Sequence, residues 1–299
     1  MIVTLQATAV SPRPFLYGEL RWQTFRYLSN HRPPVVKTVL KSALSYFAPA
    51  YYAELNARRS RAHSERLEQE WGCTALTRQF IDKYGSTVRY GPFAGLSFVE
   101  ETHHRHLTSK LLGTYEEELH PVWDTILTRE YAQILDIGSA EGYYAVGMAR
   151  LFPDTSVTAF DTDAWARRMT RLMADQNGAE NVTVVGSCTP DWLVENLRPN
   201  AFLLSDCEGF EDQLLDPEHV PALRHCDLLV ELHDEFAPGV TQRLIERFDA
   251  SHDLTVIDAR QSTPADRAEL RTFSKSDQAL AVSDLRSFPD QKWLYAHVH

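Results

Sequence analysis

Carboxylates recur in this sequence where short apolar runs give way to turns. Asp136 lies in Ile134-Leu135-Asp136-Ile137 ahead of Gly138-Ser139-Ala140-Glu141-Gly142, Asp161 follows Val157-Thr158-Ala159-Phe160, and Asp206 and Glu208 follow Ala201-Phe202-Leu203-Leu204-Ser205. An apolar strand that runs into an acid and then into small residues lets backbone amides and a helix start face a bound molecule, since glycine permits both the turn and the close approach. The pattern suits a nucleotide-like cofactor.

The spacing narrows the choice. Dinucleotide sites ask for G-x-G-x-x-G, whereas Gly138, Ala140 and Gly142 stand as G-x-A-x-G, so nicotinamide and flavin dinucleotides are disfavoured. An acid at Asp136 would also repel a pyrophosphate at short range and would suit a cation. S-adenosylmethionine carries a sulfonium and an ammonium group, and is the cofactor expected here. Asp136, Gly138, Ser139, Ala140, Glu141 and Gly142 form its expected loop. Asp161, roughly 20 residues further on, is placed to accept both ribose hydroxyls. Thr162, Ser187 and Asp206 complete the expected cofactor contacts, and Asp163 reads as the cap of the following helix.

A second cluster follows. Asp227-Leu228-Leu229-Val230-Glu231-Leu232 ends in His233-Asp234-Glu235, which brings an imidazole to the strand ends where open α/β sheets bind ligands. A hydroxyl acceptor of a methyl group needs a base or a metal as it attacks. His233 is the candidate base, with Glu208 and Asp206 beside it as catalytic groups. Asp206, Glu208, His233 and Asp234 alternatively make an oxygen-rich divalent site, which the sequence leaves undecided. His103, His104 and His106, next to Glu100 and Glu101, lack the i, i+4 spacing of a helical metal site and read as an exposed loop. Arg58, Arg59 and Arg61 stand among Glu54, Glu65, Glu68 and Glu70, as on a solvated helix.

The elements that must position these groups change character near residue 130. Beyond it, strands are expected at 133–137, 156–161, 182–186, 201–206, 227–232, 254–258 and 292–298. Helices are expected at 142–152, 163–177, 190–197, 210–223 and 239–250, the last marked by the apolar face Val240, Leu244, Ile245 and Phe248. This alternation makes an α/β cofactor domain over 130–299, with helices on both faces of a mostly parallel sheet. Residues 1–129 read as a mainly helical cap or substrate region, with helices over 34–47, 51–71 and 74–84 and a helical pattern over 111–127.

Composition bounds the rest. The 299 residues are 43% hydrophobic and 24% charged with a net charge of −11, which argues against a nucleic-acid partner. No segment approaches the length of a bilayer span and no early targeting pattern is present, so a cytoplasmic protein is expected, without a membrane partner. Cys73, Cys188, Cys207 and Cys226 show no C-x-x-C pair and read as reduced thiols.

The loop from Asp136 to Gly142, Asp161 and above all Asp206-Cys207-Glu208-Gly209-Phe210-Glu211 resemble the FkbM-type branch of class I S-adenosylmethionine-dependent methyltransferases, where an Asp-x-Glu-Gly-x-Glu element recurs. The resemblance covers roughly residues 130 to 298, including the ending Arg286-Ser287-Phe288-Pro289 to Trp293-Leu294. It implies a Rossmann-like seven-stranded sheet with an antiparallel last hairpin, and methyl transfer mostly to oxygen, often of sugars or secondary metabolites. Asp136, Gly138 and Gly142 match the family's methionine loop, Asp161 its ribose acid, and Asp206 with Glu208 its fourth motif. Ala140 departs from a common glycine, and residues 1–129 have no counterpart. A small-molecule methyl acceptor is therefore expected, and a homo-oligomer is left open. The competing readings are a non-catalytic partner of the same fold and, less favoured, a dinucleotide-dependent oxidoreductase.

Overall fold

The computed structural model describes residues 49–264, 267–286 and 291–299; the helix expected at 34–47 lies outside them. In chain order the helices are α1 (Pro49–Glu70), α2 (Cys73–Tyr84), α3 (Thr108–Leu112), α4 (His120–Ile126), α5 (Tyr143–Leu151), α6 (Ala164–Asn177), α7 (Pro190–Asn196), α8 (Glu211–Leu214), α9 (Val240–Phe248) and α10 (Lys275–Ala281). The strands are β1 (Gln133–Ile137), β2 (Val157–Phe160), β3 (Val182–Val185), β4 (Ala201–Ser205), β5 (Asp227–Leu232), β6 (His252–Asp258) and β7 (Lys292–Val298).

The strands form one sheet in the order β3-β2-β1-β4-β5-β7-β6. Pairings from β3 through β5 are parallel, and β7 runs antiparallel between β5 and β6. This is the Rossmann-like architecture with the antiparallel final hairpin that the sequence led us to expect. All seven strands overlap their expected positions, because the apolar runs of β1, β4 and β5 are buried along their whole length.

Successive strand residues face opposite sides. Ile134, Ala159, Phe202 and Leu229 pack on one face with α2 to α6 and α10, while Leu135, Phe160, Leu203 and Leu228 pack on the other with α7, α8 and α9. The compact unit runs from Ala53 to His299, so the change of pattern near residue 130 falls inside it. Leu76, Phe80, Leu111 and Trp123 share a core with Ile134 and Val146. Further along, Glu269 accepts from Arg89 (2.7 Å) and Tyr90 (3.0 Å), joining residues about 180 positions apart in sequence.

Two expected helices are shorter than their patterns. Over 111–127 the chain breaks at Gly113 (φ +64), where a side chain would meet the Tyr90 carbonyl oxygen at 2.0 Å, and again at Glu116 (φ 49). Over 210–223 only α8 is α-helical, followed by a 3-10 turn at Pro221–His225. Pro217 accounts for this, since it disfavours the α conformation at Asp216, whose carboxylate instead accepts from the Glu218 amide (2.9 Å).

Trp123 is 2% exposed and its ring meets Phe93, Tyr144 and Phe202 with centroids at 5.0, 5.6 and 6.0 Å. Trp123→Ala should lower stability by about 3–5 kcal/mol, read as an earlier midpoint in urea at unchanged slope.

Candidate functional site

The strand order reverses between β1 and β4, which opens a crevice at their carboxyl ends. The turn after β1 passes very close to the end of β4. Gly138 (φ +96) has no room for a side chain, because a Cβ there would lie 1.7 Å from the Asp206 carbonyl oxygen. The Asp206 amide donates to the Ile137 carbonyl (2.8 Å), and the Gly138 and Ser139 amides both donate to the Phe160 carbonyl (2.9 Å each). Ala140 is left-handed (φ 45), a conformation that costs an alanine roughly 1–2 kcal/mol. Gly142 (φ +92) then starts α5 against Thr170.

Within this loop Asp136 is 1% exposed, and neither carboxylate oxygen has a hydrogen-bond partner among the described residues. Burial first, then the carboxylates of Asp206 and Asp161, push it up to about 8, against the opposing pull of the Ala145 amide in the first turn of α5. Asp161 accepts from the amides of Ala140 (2.9 Å) and Asp163 (2.7 Å), and burial raises it to about 6. Asp163 caps α6 by accepting from the Trp165 amide (3.0 Å). Thr162 is half-buried beside it, and Ser187 is exposed two residues past β3 on the same edge. Ser139 is buried, with its hydroxyl 3.3 Å from that of Thr170. Glu141 is turned to Lys110 of α3, with which it is ion-paired. Burial alone would raise the Glu141 carboxyl, but Lys110 and Arg105 outweigh it and hold it below the ordinary value.

At the ends of β4 and β5 the second cluster converges. His233 is 2% exposed; its Nδ1 lies 2.8 Å from Glu211 Oε1, which also accepts the Cys207 amide (3.1 Å). Its Nε2 lies 3.6 Å from Asp206 Oδ1 and 3.6 Å from Glu231 Oε2. Burial alone would lower the imidazole, but the hydrogen bond to Glu211 and the charges of Asp206, Glu211 and Glu208 raise it to about 9. It therefore carries its proton at neutral pH. Glu208 (φ 56) is exposed, and the partial loss of water around its carboxyl and the charge of Asp206 raise it to about 7, against the pull of His233. Burial also raises Asp206.

Other neighbours escaped the sequence reading. Glu231, inside the apolar run of β5, is pushed up to about 12 by burial and by Asp206, so it holds a proton. An acid one position from the end of a buried strand was its only local signal. Tyr115 and Glu116 come from before β1; Glu116 accepts from the Tyr144 hydroxyl and is raised to about 8, chiefly by burial. Lys110 lies over the rings of Tyr115 (4.5 Å) and Tyr143 (5.3 Å).

Some expected groups lie elsewhere. Asp234 accepts from the Gly239 amide (2.9 Å) ahead of α9. Asp206, Glu208 and His233 are the group of potential metal ligands found among the described residues, so the three neighbouring histidines do not form one. His106 is half-buried rather than exposed: its Nε2 meets the Ser283 carbonyl (3.1 Å), and burial lowers it to about 4. Arg58 and Arg59 are exposed as expected, whereas Arg61 pairs with Asp163 and lies 5.2 Å from the Trp165 ring. Cys207 is half-buried; Cys73, Cys188 and Cys226 are buried free thiols.

No family model and no curated protein matches the sequence. Solved structures to which the chain is similar include a precorrin-6y C5,15-methyltransferase from Geobacter metallireducens, with 13% identity and a TM-score of 0.41 over 60% of this chain and 89% of that one. An O-methyltransferase from Bacillus cereus in complex with SAH gives 14% and 0.41 over 62% and 91%. The O-methyltransferase TomG from Streptomyces achromogenes, involved in tomaymycin synthesis and in complex with SAM, gives 14% and 0.41 over 76% and 90%.

Gly138→Ala should displace the loop from the end of β4 and abolish binding of an adenosyl cofactor, while Ala140→Gly, which relieves a left-handed alanine, should leave binding within about twofold. Titration calorimetry on both variants, with melting temperatures alongside, checks the contrast.

Proposed function

We propose that this chain is an S-adenosylmethionine-dependent methyltransferase, of the FkbM type, acting on an oxygen of a small molecule. The observation that carries the reading is Asp136: a buried carboxylate without a hydrogen-bond partner among the described residues, beside a turn that a Cβ would fill. A group so desolvated favours a cationic ligand. The loop from Gly138 to Gly142 would hold the methionine end, with Asp136 toward the positive groups and Asp161 toward the ribose. Asp161 keeps acceptor capacity beyond the two amides it already takes. Thr162 and Ser187, on the same edge, belong to the adenosine side.

When bound, this cofactor supplies an electrophilic methyl group on a sulfonium. The chain's own residues must exclude water, orient the acceptor and manage its proton. Asp206, Glu208 and His233 stand where the acceptor's oxygen would come. A resting imidazolium cannot take that proton, so the base role expected of His233 passes to Glu208, poised near neutrality. His233 then donates toward the oxygen. Residues before 130, through Lys110 of α3 and Tyr115 of the turn that follows it, form the acceptor side. No helix among the described residues is long and apolar enough to cross a membrane. An acidic chain suits a small acceptor free of phosphate backbones, in a cytoplasmic setting.

Calorimetry should show binding of both S-adenosylmethionine and its demethylated product, and Asp136→Asn should weaken the former at least about tenfold. Absence of heat with either ligand would sink the reading. The pH dependence has a definite sign. Asp136 in the folded chain holds its proton up to about 8 against an ordinary 3.8, so in that window the folded state binds more protons and this group's contribution to stability falls as pH rises. A cation must displace that proton, so affinity should rise between about pH 6 and 8, by at most roughly tenfold per unit, and flatten above. Asp136→Asn should remove the slope; an unchanged slope in that variant would assign it to another group.

A further inference from the structure

We propose that Glu118, Asp284 and Arg286 seat a protonated amine of the methyl acceptor, so that the small molecule methylated here is an amino alcohol. Glu118 lies in the 3-10 turn ahead of α4, and Asp284 and Arg286 follow α10. Arg286 Nη2 donates to Glu118 Oε1 and to Asp284 Oδ2 (3.4 Å), which also accepts the Glu116 amide (3.2 Å). Each of the three side chains thus engages one of its two terminal atoms. The others, Glu118 Oε2, Asp284 Oδ1 and Arg286 Nη1, are buried and have no hydrogen-bond partner among the described residues.

The open carboxylate oxygens set the charge of the ligand. The side chains of Glu118 and Asp284 are 2% and 3% exposed, and carboxylates so far removed from water need a partner for each oxygen. Arg286 bonds both but faces three carboxyls, since Glu116 adds its charge to theirs. Lys110 does not relieve them, being paired with Glu141. A compact cation with several N–H donors fits this deficit, and that is an ammonium group. An oxygen belongs beside it. Arg286 Nη1 is a donor without an acceptor, and so is Trp293 Nε1, which is buried and unpartnered among the described residues. Trp293 stands opposite Glu231 in the pairing of β5 with β7, so the two side chains leave the sheet on the same face.

The seat is continuous with the reaction edge. Glu231 Oε2 lies 3.6 Å from His233 Nε2, and the charges of Arg286, Glu116 and Asp206 all act on Glu231. Tyr115 bridges the two groups, its hydroxyl feeling Glu116 and Asp284 on one side and Glu231 and Asp206 on the other. A molecule whose ammonium rests on Glu118 and Asp284 presents its hydroxyl toward Asp206 and Glu208. A protonated amine has no lone pair to take a methyl group, so the same seat directs transfer to the oxygen, whose proton passes to Glu208. Binding of the amine stands on the buried groups alone, whereas its being the methyl acceptor rests on the methyltransferase reading.

Saturation-transfer NMR on the full chain at about pH 7 tests the seat, with ethanolamine as the probe and N-acetylethanolamine and ethylene glycol as its uncharged counterparts. Ethanolamine should bind with a dissociation constant of roughly 1–10 mM, ordinary for so small a ligand, and both counterparts at least about tenfold more weakly. Glu118→Gln and Asp284→Asn should each lower ethanolamine affinity at least about tenfold. Asp253→Asn, beside His297 and His299 at the surface, should change nothing. Melting curves identify a variant that fails to fold, and the comparison with N-acetylethanolamine needs no variant. No ethanolamine signal at about 50 mM, equal binding of N-acetylethanolamine, or affinity indifferent to both folded variants would overturn the seat. S-adenosylmethionine titrated into the same protein separates the two proposals: cofactor heat without ethanolamine binding removes only the amine seat, and ethanolamine binding without cofactor heat removes only the methyltransferase reading.

Discussion

The close passage of the β1 turn over the end of β4 governs how the acidic groups of this protein come together. With no side chain at Gly138, the Asp206 carbonyl occupies the space a Cβ would need, and the Asp206 amide bonds back to Ile137. Two strand ends are thereby locked side by side at the reversal of strand order. The carboxylates they carry, Asp136 and Asp206, are brought together, and the charge of Asp206 raises the affinity of Asp136 for a proton or for a positive ligand.

The same crowding extends outward. Glu231 and Glu116 join the acids from β5 and from the segment ahead of α4, and both are raised, first by burial. Lys110, Arg286 and His233 are positive groups nearby, and each is already committed, Lys110 to Glu141, Arg286 to Glu118 and His233 to Glu211. Burying this many carboxylates costs a protein several kcal/mol unless something compensates. A cofactor bearing positive charge is a compensation of the right sign.

Much of the sheet was legible because β1, β4 and β5 bury every residue, so their apolar runs could hardly be anything but central parallel strands. The periodicity of α9 and the cap at Asp163 were equally local signals. Local pattern failed where a distant contact decided the conformation. Gly113 breaks its helix because the Tyr90 backbone lies against it, and Lys110 reaches Glu141 across 31 residues that share no periodicity. In the second cluster the residue types were readable, but the protonation of His233 was not, since it depends on Glu211 being buried against Nδ1. Glu231 was hidden by its own strand.

The pairing of Arg89 and Tyr90 with Glu269 bears on the order in which the chain assembles. Closing a loop of about 180 residues from a disordered chain costs roughly 4–5 kcal/mol in entropy before any contact repays it. That closure is cheap only once the strands between have come together, so this clasp forms late and opens early. The segments around residues 89 and 269 should therefore exchange their amide hydrogens sooner than β1 or β4, through partial openings that leave the sheet standing.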